Sequence, residues 1–139
     1  MSITFDSYAT VTWLDDVQAI HIKWKNLYMS LEKFQEICVA AIGMLTEKKG
    51  KIWIADQYDS EGVFNTQIKA IISGDLHTMA KHAGITMVLT VIPKEVGLSS
   101  LNTKSWMRDV SKKEGIALME FPTLEICKKW IESNQQGNS

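Results

Sequence analysis

The chain has 139 residues, 45% of them apolar and 22% charged, the balance of a soluble globular protein with room for one core rather than two. Fifteen Lys and Arg against sixteen Asp and Glu leave a net charge of -1, and the pairs Lys48-Lys49, Lys112-Lys113 and Lys128-Lys129 are each diluted by acids. No basic stripe results that could hold a phosphate backbone, so nucleic acid is excluded as the expected partner.

The opening "MSITFDSYATVTW" has neither a basic n-region nor an apolar h-region, and the most apolar run, "ITMVLTVI", is too short to span a bilayer. A cytoplasmic protein without membrane insertion is expected. The first elements are two strands, "ATVTWL" and "VQAIHIKW", joined at Asp15-Asp16 as a tight hairpin. In the second strand Gln18, Ile20, Ile22 and Trp24 share one face, and Val17, Ala19, His21 and Lys23 the other. Ser30 is the expected N-cap of a helix over "LEKFQEICVAAIGMLTEKKG", in which Leu31, Phe34, Ile37, Cys38, Ala41 and Leu45 recur at helical spacing and Gly50 closes the last turn.

"KIWIAD" then reads as a short buried strand. From about Ser60 a second helix is expected through Phe64, Ile68, Ile71, Ile72, Leu76 and Met79 to Gly84, with Gly74 weakening its middle without a break. "ITMVLTVIP" is nearly continuous in β-branched and apolar residues, as a central strand covered on both faces would be. A looser helix around "SSLNTKSWMRDVSKKEG" and a strand "IALMEF" follow, and a last helix from near Thr123 sets Leu124, Cys127 and Ile131 against the core. Residues 1–134 are expected to form the single domain, and 135–139 a flexible tail. The alternation predicts an α/β fold: a mixed, largely parallel sheet of about five strands with an N-terminal β-hairpin and flanking helices.

A hairpin feeding a helix, "KIWIAD" leading into "DSEGVF", "ITMVLTVI" and a closing "FPTLEICKKWI" together resemble the STAS-like domains, in particular the SpoIIAA-like family of bacterial proteins, over nearly the whole chain. The resemblance implies a fold similar to that of anti-sigma-factor antagonists, in which a partner kinase phosphorylates a Ser at the N-terminus of the helix after a central strand. Ser60 of "DSEG" is the position that matches. A phosphate there would meet the amide donors of a helix N-terminus. The chain departs from the pattern in the short loop from Asp56 to Asp59 and in the bulky Val63 and Phe64, and so looks like the stand-alone members without a known kinase.

The candidate binding edge lies beyond the carboxyl ends of the strands, where Asp56, Tyr58, Asp59 and Ser60 come beside Ile92 and Pro93. The plainer role of Asp59 or Ser60 is to cap the second helix. Asp56 and Asp59 could also form an acid and base pair, but neither a nucleophile nor an electrophile holder accompanies them.

His77 and His82 point about 140° apart on a helix and cannot share a metal, and His21 stands alone on its strand; no metal site or cofactor is expected. Cys38 and Cys127 read as reduced core thiols. Five Trp and seven Met exceed the needs of a small core, and Trp13, Trp24 and Trp53 fall on strands. They could line an apolar pocket, since lipid carriers of the CRAL-TRIO type are similar in architecture to the resembled family, or be core and subunit interface.

Three readings follow: a non-enzymatic regulatory or scaffolding module acting through protein contacts, a carrier or sensor of a small apolar, lipid-like ligand, and a hydrolase or transferase using Asp56 and Asp59. The first is favoured. Edge strands such as "ATVTWL" and the surplus Trp and Met also predict a homodimer.

Overall fold

The computed structural model describes residues 2–95, 111–113 and 115–136. Strands β1 (Ser2–Phe5), β2 (Ala9–Leu14) and β3 (Ala19–Trp24) lead into helix α1 (Leu31–Glu47). They are followed by β4 (Ile52–Asp56), α2 (Thr66–Ser73), α3 (Asp75–His82), β5 (Met87–Val91), β6 (Ser111–Lys113), β7 (Ile116–Phe121) and α4 (Leu124–Gln136). The described strands form one sheet in the order β1-β2-β3-β4-β5-β7-β6. Strands β3, β4, β5 and β7 are parallel neighbours, and antiparallel strands flank them on both sides. The α/β fold, an N-terminal hairpin and the parallel pairing of "KIWIAD" with "ITMVLTVI" are as expected, but the hairpin loop takes in residues 15–18 rather than Asp15-Asp16 alone, because β3 begins at Ala19.

The sheet has seven strands among the described residues, not about five. The two extra strands lie at its edges. Strand β1 covers β2, so "ATVTWL" is not an edge strand. Only four residues long and mostly exposed, β1 carries an alternation, Ser2-Ile3-Thr4-Phe5, too short to stand out as a strand of its own. Strand β6 pairs with β7 where the sequence predicts a helix through "SKK"; residues 99–110 and 114 of that predicted helix lie outside the described residues. Gln136 ends α4, which takes in part of the expected tail. Among the described residues no helix is long and apolar enough to cross a membrane.

Period-two alternation places one apolar layer on each face of the sheet. Ile20, Ile22 and Trp24 of β3 and Trp53 of β4 pack against Phe34, Ile37, Ala41 and Leu45 of α1, Ile68 of α2 and Ala80 of α3. Ala19, Ile52, Ile54, Leu89, Val91, Met119 and Phe121 face the other way, against Cys127 and Ile131 of α4. The parallel strands succeed one another in a single direction across the sheet, and the described crossovers, α1 and α2-α3, lie on one face. That is what right-handed connections require when the order does not reverse.

Local chemistry sets the helix ends. The Ser30 hydroxyl accepts from the Lys33 N–H at 3.1 Å and caps α1, as expected. At the other end Lys49, with φ 57°, holds the left-handed position that the sequence assigns to Gly50. Gly50 answers a different need: a Cβ there would stand 2.7 Å from the Trp13 ring.

The second helix departs from expectation at both its start and its middle. It begins at Thr66 rather than Ser60, and its N-cap is Asn65, whose side chain accepts from the Ile68 N–H at 2.9 Å. Residues 57–64 instead carry the chain across the strand ends. The Glu61 N–H donates to Lys25 O at 2.7 Å, and Glu61 O accepts from the Leu27 N–H at 2.9 Å. Phe64 then locks into a cluster with Trp24 and Phe34, ring centroids 5.3 and 5.4 Å away. These non-local bonds outweigh the local signal of a helix from Ser60. Gly74, at φ −116° and ψ −82°, breaks the helix into α2 and α3. Glycine resists helix interiors, and Asp75 supports a fresh start beside the new N-terminus.

Candidate functional site

Two regions compete for the role of working site, the strand-end edge and the space between the helical layer and the sheet. At the edge, Asp56 ends β4 with its side chain on the α4 face. Its Oδ2 lies 2.8 Å from Nε2 of His21, a hydrogen bond in which the ring N–H donates to the carboxylate. Its Oδ1 accepts from the Tyr58 N–H at 3.0 Å and so fixes the turn that leaves the strand. His21 is 8% exposed and Asp56 4%, which makes this a buried pair with both carboxylate oxygens engaged inside the fold.

The pairing follows from register. His21 opposes Ile54 on the neighbouring parallel strand and Asp56 is two residues further on, so both side chains emerge on one face, one position apart. In the sequence His21 stands alone and Asp56 reads as the last residue of a strand, grouped with the acidic and hydroxyl residues that follow it. What joins them is parity combined with the β3–β4 register, which a single strand does not display.

The other edge residues disperse. Asp59 is exposed and pairs with Lys23 at 3.4 Å. The Ser60 hydroxyl donates to Gln57 O at 2.8 Å and caps no helix, and Asn65 separates it from the start of α2, so a phosphate on Ser60 would not meet that helix N-terminus. Tyr58 is half-buried against the α4-side core, and its carbonyl accepts from the Lys94 N–H at 3.2 Å, which draws half-buried Pro93 beside it. Asp56 and Asp59 thus have separate partners. The single-direction strand order also gives the four parallel strands no reversal at which a crevice would open.

Cys127 of α4 lies in the same layer as His21 and Asp56. Burial, helped by the Asp56 charge, pushes its thiol up to about 12. Burial alone does the same to Cys38 on the other face. Both cysteines are free and buried, as core thiols should be, and at neutral pH neither supplies a thiolate nucleophile. Among the described residues no group of three or more His, Cys, Asp or Glu is arranged to hold a metal ion.

On the opposite face the helices do not close fully on the sheet. A cavity of about 440 Å³ remains there. Ile42 of α1, Ile72 of α2, Leu76 and Ala80 of α3, and Ile85 form its helical side, and Trp53, Val88, Thr90, Leu118 and Glu120 its sheet side. Of the three strand tryptophans only Trp53 reaches it. Trp24 belongs to the aromatic cluster, stacked on Phe34 at 5.7 Å, and Trp13 covers Gly50 while its Nε1–H donates to Asp15 Oδ1 at 3.4 Å. The cavity draws on three helices and three strands from distant parts of the chain, which is why no local pattern announces it.

A third feature borders the edge. Tyr28 is 68% exposed and Val63 57% exposed, and the Tyr28 ring lies over Gly62, where a Cβ would come within 2.4 Å of it and φ is +83°. Comparison of the chain with protein-family models, curated proteins and solved structures finds no match.

Proposed function

We propose that this protein is a non-enzymatic binding module that takes a small apolar ligand into the cavity between α1, α3 and the sheet, as a carrier or sensor. One observation supports it above the others: about 440 Å³ of space walled mainly by Ile, Leu, Val, Ala and Trp side chains. Ligand sites fall in that size range and have that lining. Water inside such walls has few hydrogen-bond partners, so an apolar occupant gains by replacing it.

The test is native mass spectrometry of protein purified from its own cells, followed by observation of the Trp53 ring by nuclear magnetic resonance. A retained small molecule, released on denaturation and touching Trp53, is the expected result. A bare 15.7 kDa mass together with contacts from Trp53 to side chains of residues 96–110 would place the chain itself in the space and overturn the reading.

Exposed Val63, and exposed Tyr28 in a surface hollow shared with Lys23 and Asp59, favour a second reading: a regulatory or scaffolding module working through protein contacts at the strand-end edge. A large apolar side chain held in solvent next to charges is the composition of an interface centre with its rim. Membership of the STAS-like group, a cytoplasmic setting, a homodimer and phosphorylation of Ser60 belong with this second reading. Loss of all captured partners in Tyr28→Ala, with the cavity ligand retained, would favour it over the first.

A further inference from the structure

The cavity is not uniformly apolar: among the described residues of its wall one, Glu120, is ionisable. Glu120 of β7 lies directly across from Thr90 of β5 in the parallel register, and both side chains line the cavity towards the C-terminal ends of those strands. Among the described residues the Glu120 side chain has no ion-pair or hydrogen-bond partner, and no Lys, Arg or His contributes to the walls. Trp53, Val88 and Leu118 begin the apolar body of the cavity next to this polar corner.

Resting on the reading of the cavity as a ligand site, we infer that its ligand is a cationic amphiphile: an apolar body among Trp53, Val88, Leu118 and Leu76, with an ammonium head at Glu120 and Thr90. A solvated carboxylate at the mouth of an apolar space repels a fatty-acid head and gives a neutral alcohol only a hydrogen bond. An ammonium group gains both charge pairing and hydrogen bonds there. The volume corresponds to about 15 waters at about 30 Å³ each. A chain or ring system of that order fills it, whereas a phospholipid with two acyl chains does not fit.

The experiment titrates the full-length protein with octylamine, octanol and octanoate at neutral pH and constant ionic strength, by calorimetry and by shifts of the Val88 and Leu118 methyl resonances. Octylamine should bind about fivefold more tightly than octanol, the contribution of a partly exposed ion pair, with octanoate weakest. Glu120→Gln should bring amine and alcohol level, and Glu120→Lys should reverse the order in favour of octanoate. Equal binding of all three to the unaltered protein, with the methyl shifts present, would overturn the cationic head while leaving the apolar cavity as a ligand site. Absence of methyl shifts with every probe would overturn both.

Discussion

The buried contact between His21 and Asp56 joins two strands that share no local sequence signal. Neither ring nor carboxylate can turn to water: His21 is enclosed on the sheet face, and Asp56 also holds the Tyr58 turn. His21→Leu leaves a buried carboxylate short of one donor, and should lower stability by about 3 kcal/mol in urea unfolding. Replacing both residues with Leu should cost less than the sum of the single changes, with a coupling of about 1 kcal/mol or more. Additivity within about 0.5 kcal/mol would show that the two side chains do not support each other.

The thiols give a second expectation at this scale. Each is pushed from 9.0 up to about 12 in the fold, so each favours folding below pH 9 and that contribution is lost as the pH climbs from 9 towards 12. Ellman's reagent at pH 8 should leave native Cys38 and Cys127 unmodified and label both after unfolding. Rapid labelling of the native protein would place a thiolate at the surface.

Elements defined by their own periodicity are legible in the amino-acid sequence, and those defined by distant partners are not. The α1 helix has its cap, its apolar stripe and its stop within twenty or so residues, and "IALMEF" and the stripe of α4 are equally self-contained. The start of α2 is the contrary case. Glu61, bonded to the chain at Lys25 and Leu27, and Phe64, packed on Trp24, hold the backbone extended until Asn65. Asn65→Ala should therefore lower the stability by about 1 kcal/mol, since it removes the cap. It also removes the bond from Asn65 Nδ2 to Met29 O at 3.2 Å. Ser60→Ala should shift the urea midpoint by less, because its hydroxyl serves only the Gln57 carbonyl. A larger effect at Ser60 than at Asn65 would restore Ser60 as the residue that starts the helix.

Across the whole molecule, the two faces of the sheet are packed to different degrees. The α4 side is filled by Phe121, Ile54, Leu89 and Ile131, each at most 1% exposed, while the helical side keeps about 440 Å³ between Ile42, Trp53 and Ala80. An α/β order of strands and helices is visible in the alternation of periods, but the difference between the faces depends on how far α3 stands from the sheet, which no period encodes. An unfilled space costs stability, because the atoms lining it lose neighbours on one side. Ala80 sits on α3 at the wall, 6% exposed, and a longer side chain there enters the cavity rather than a packed layer. Ala80→Leu should therefore raise stability by about 1 kcal/mol, as cavity filling commonly does, and at the same time abolish uptake of an eight-carbon probe. Proteins keep such a gain unused where a site needs the space. If Ala80→Leu instead destabilises by about 1 kcal/mol or more, the response of an overpacked core, the space is already filled in solution and the cavity is not the working site.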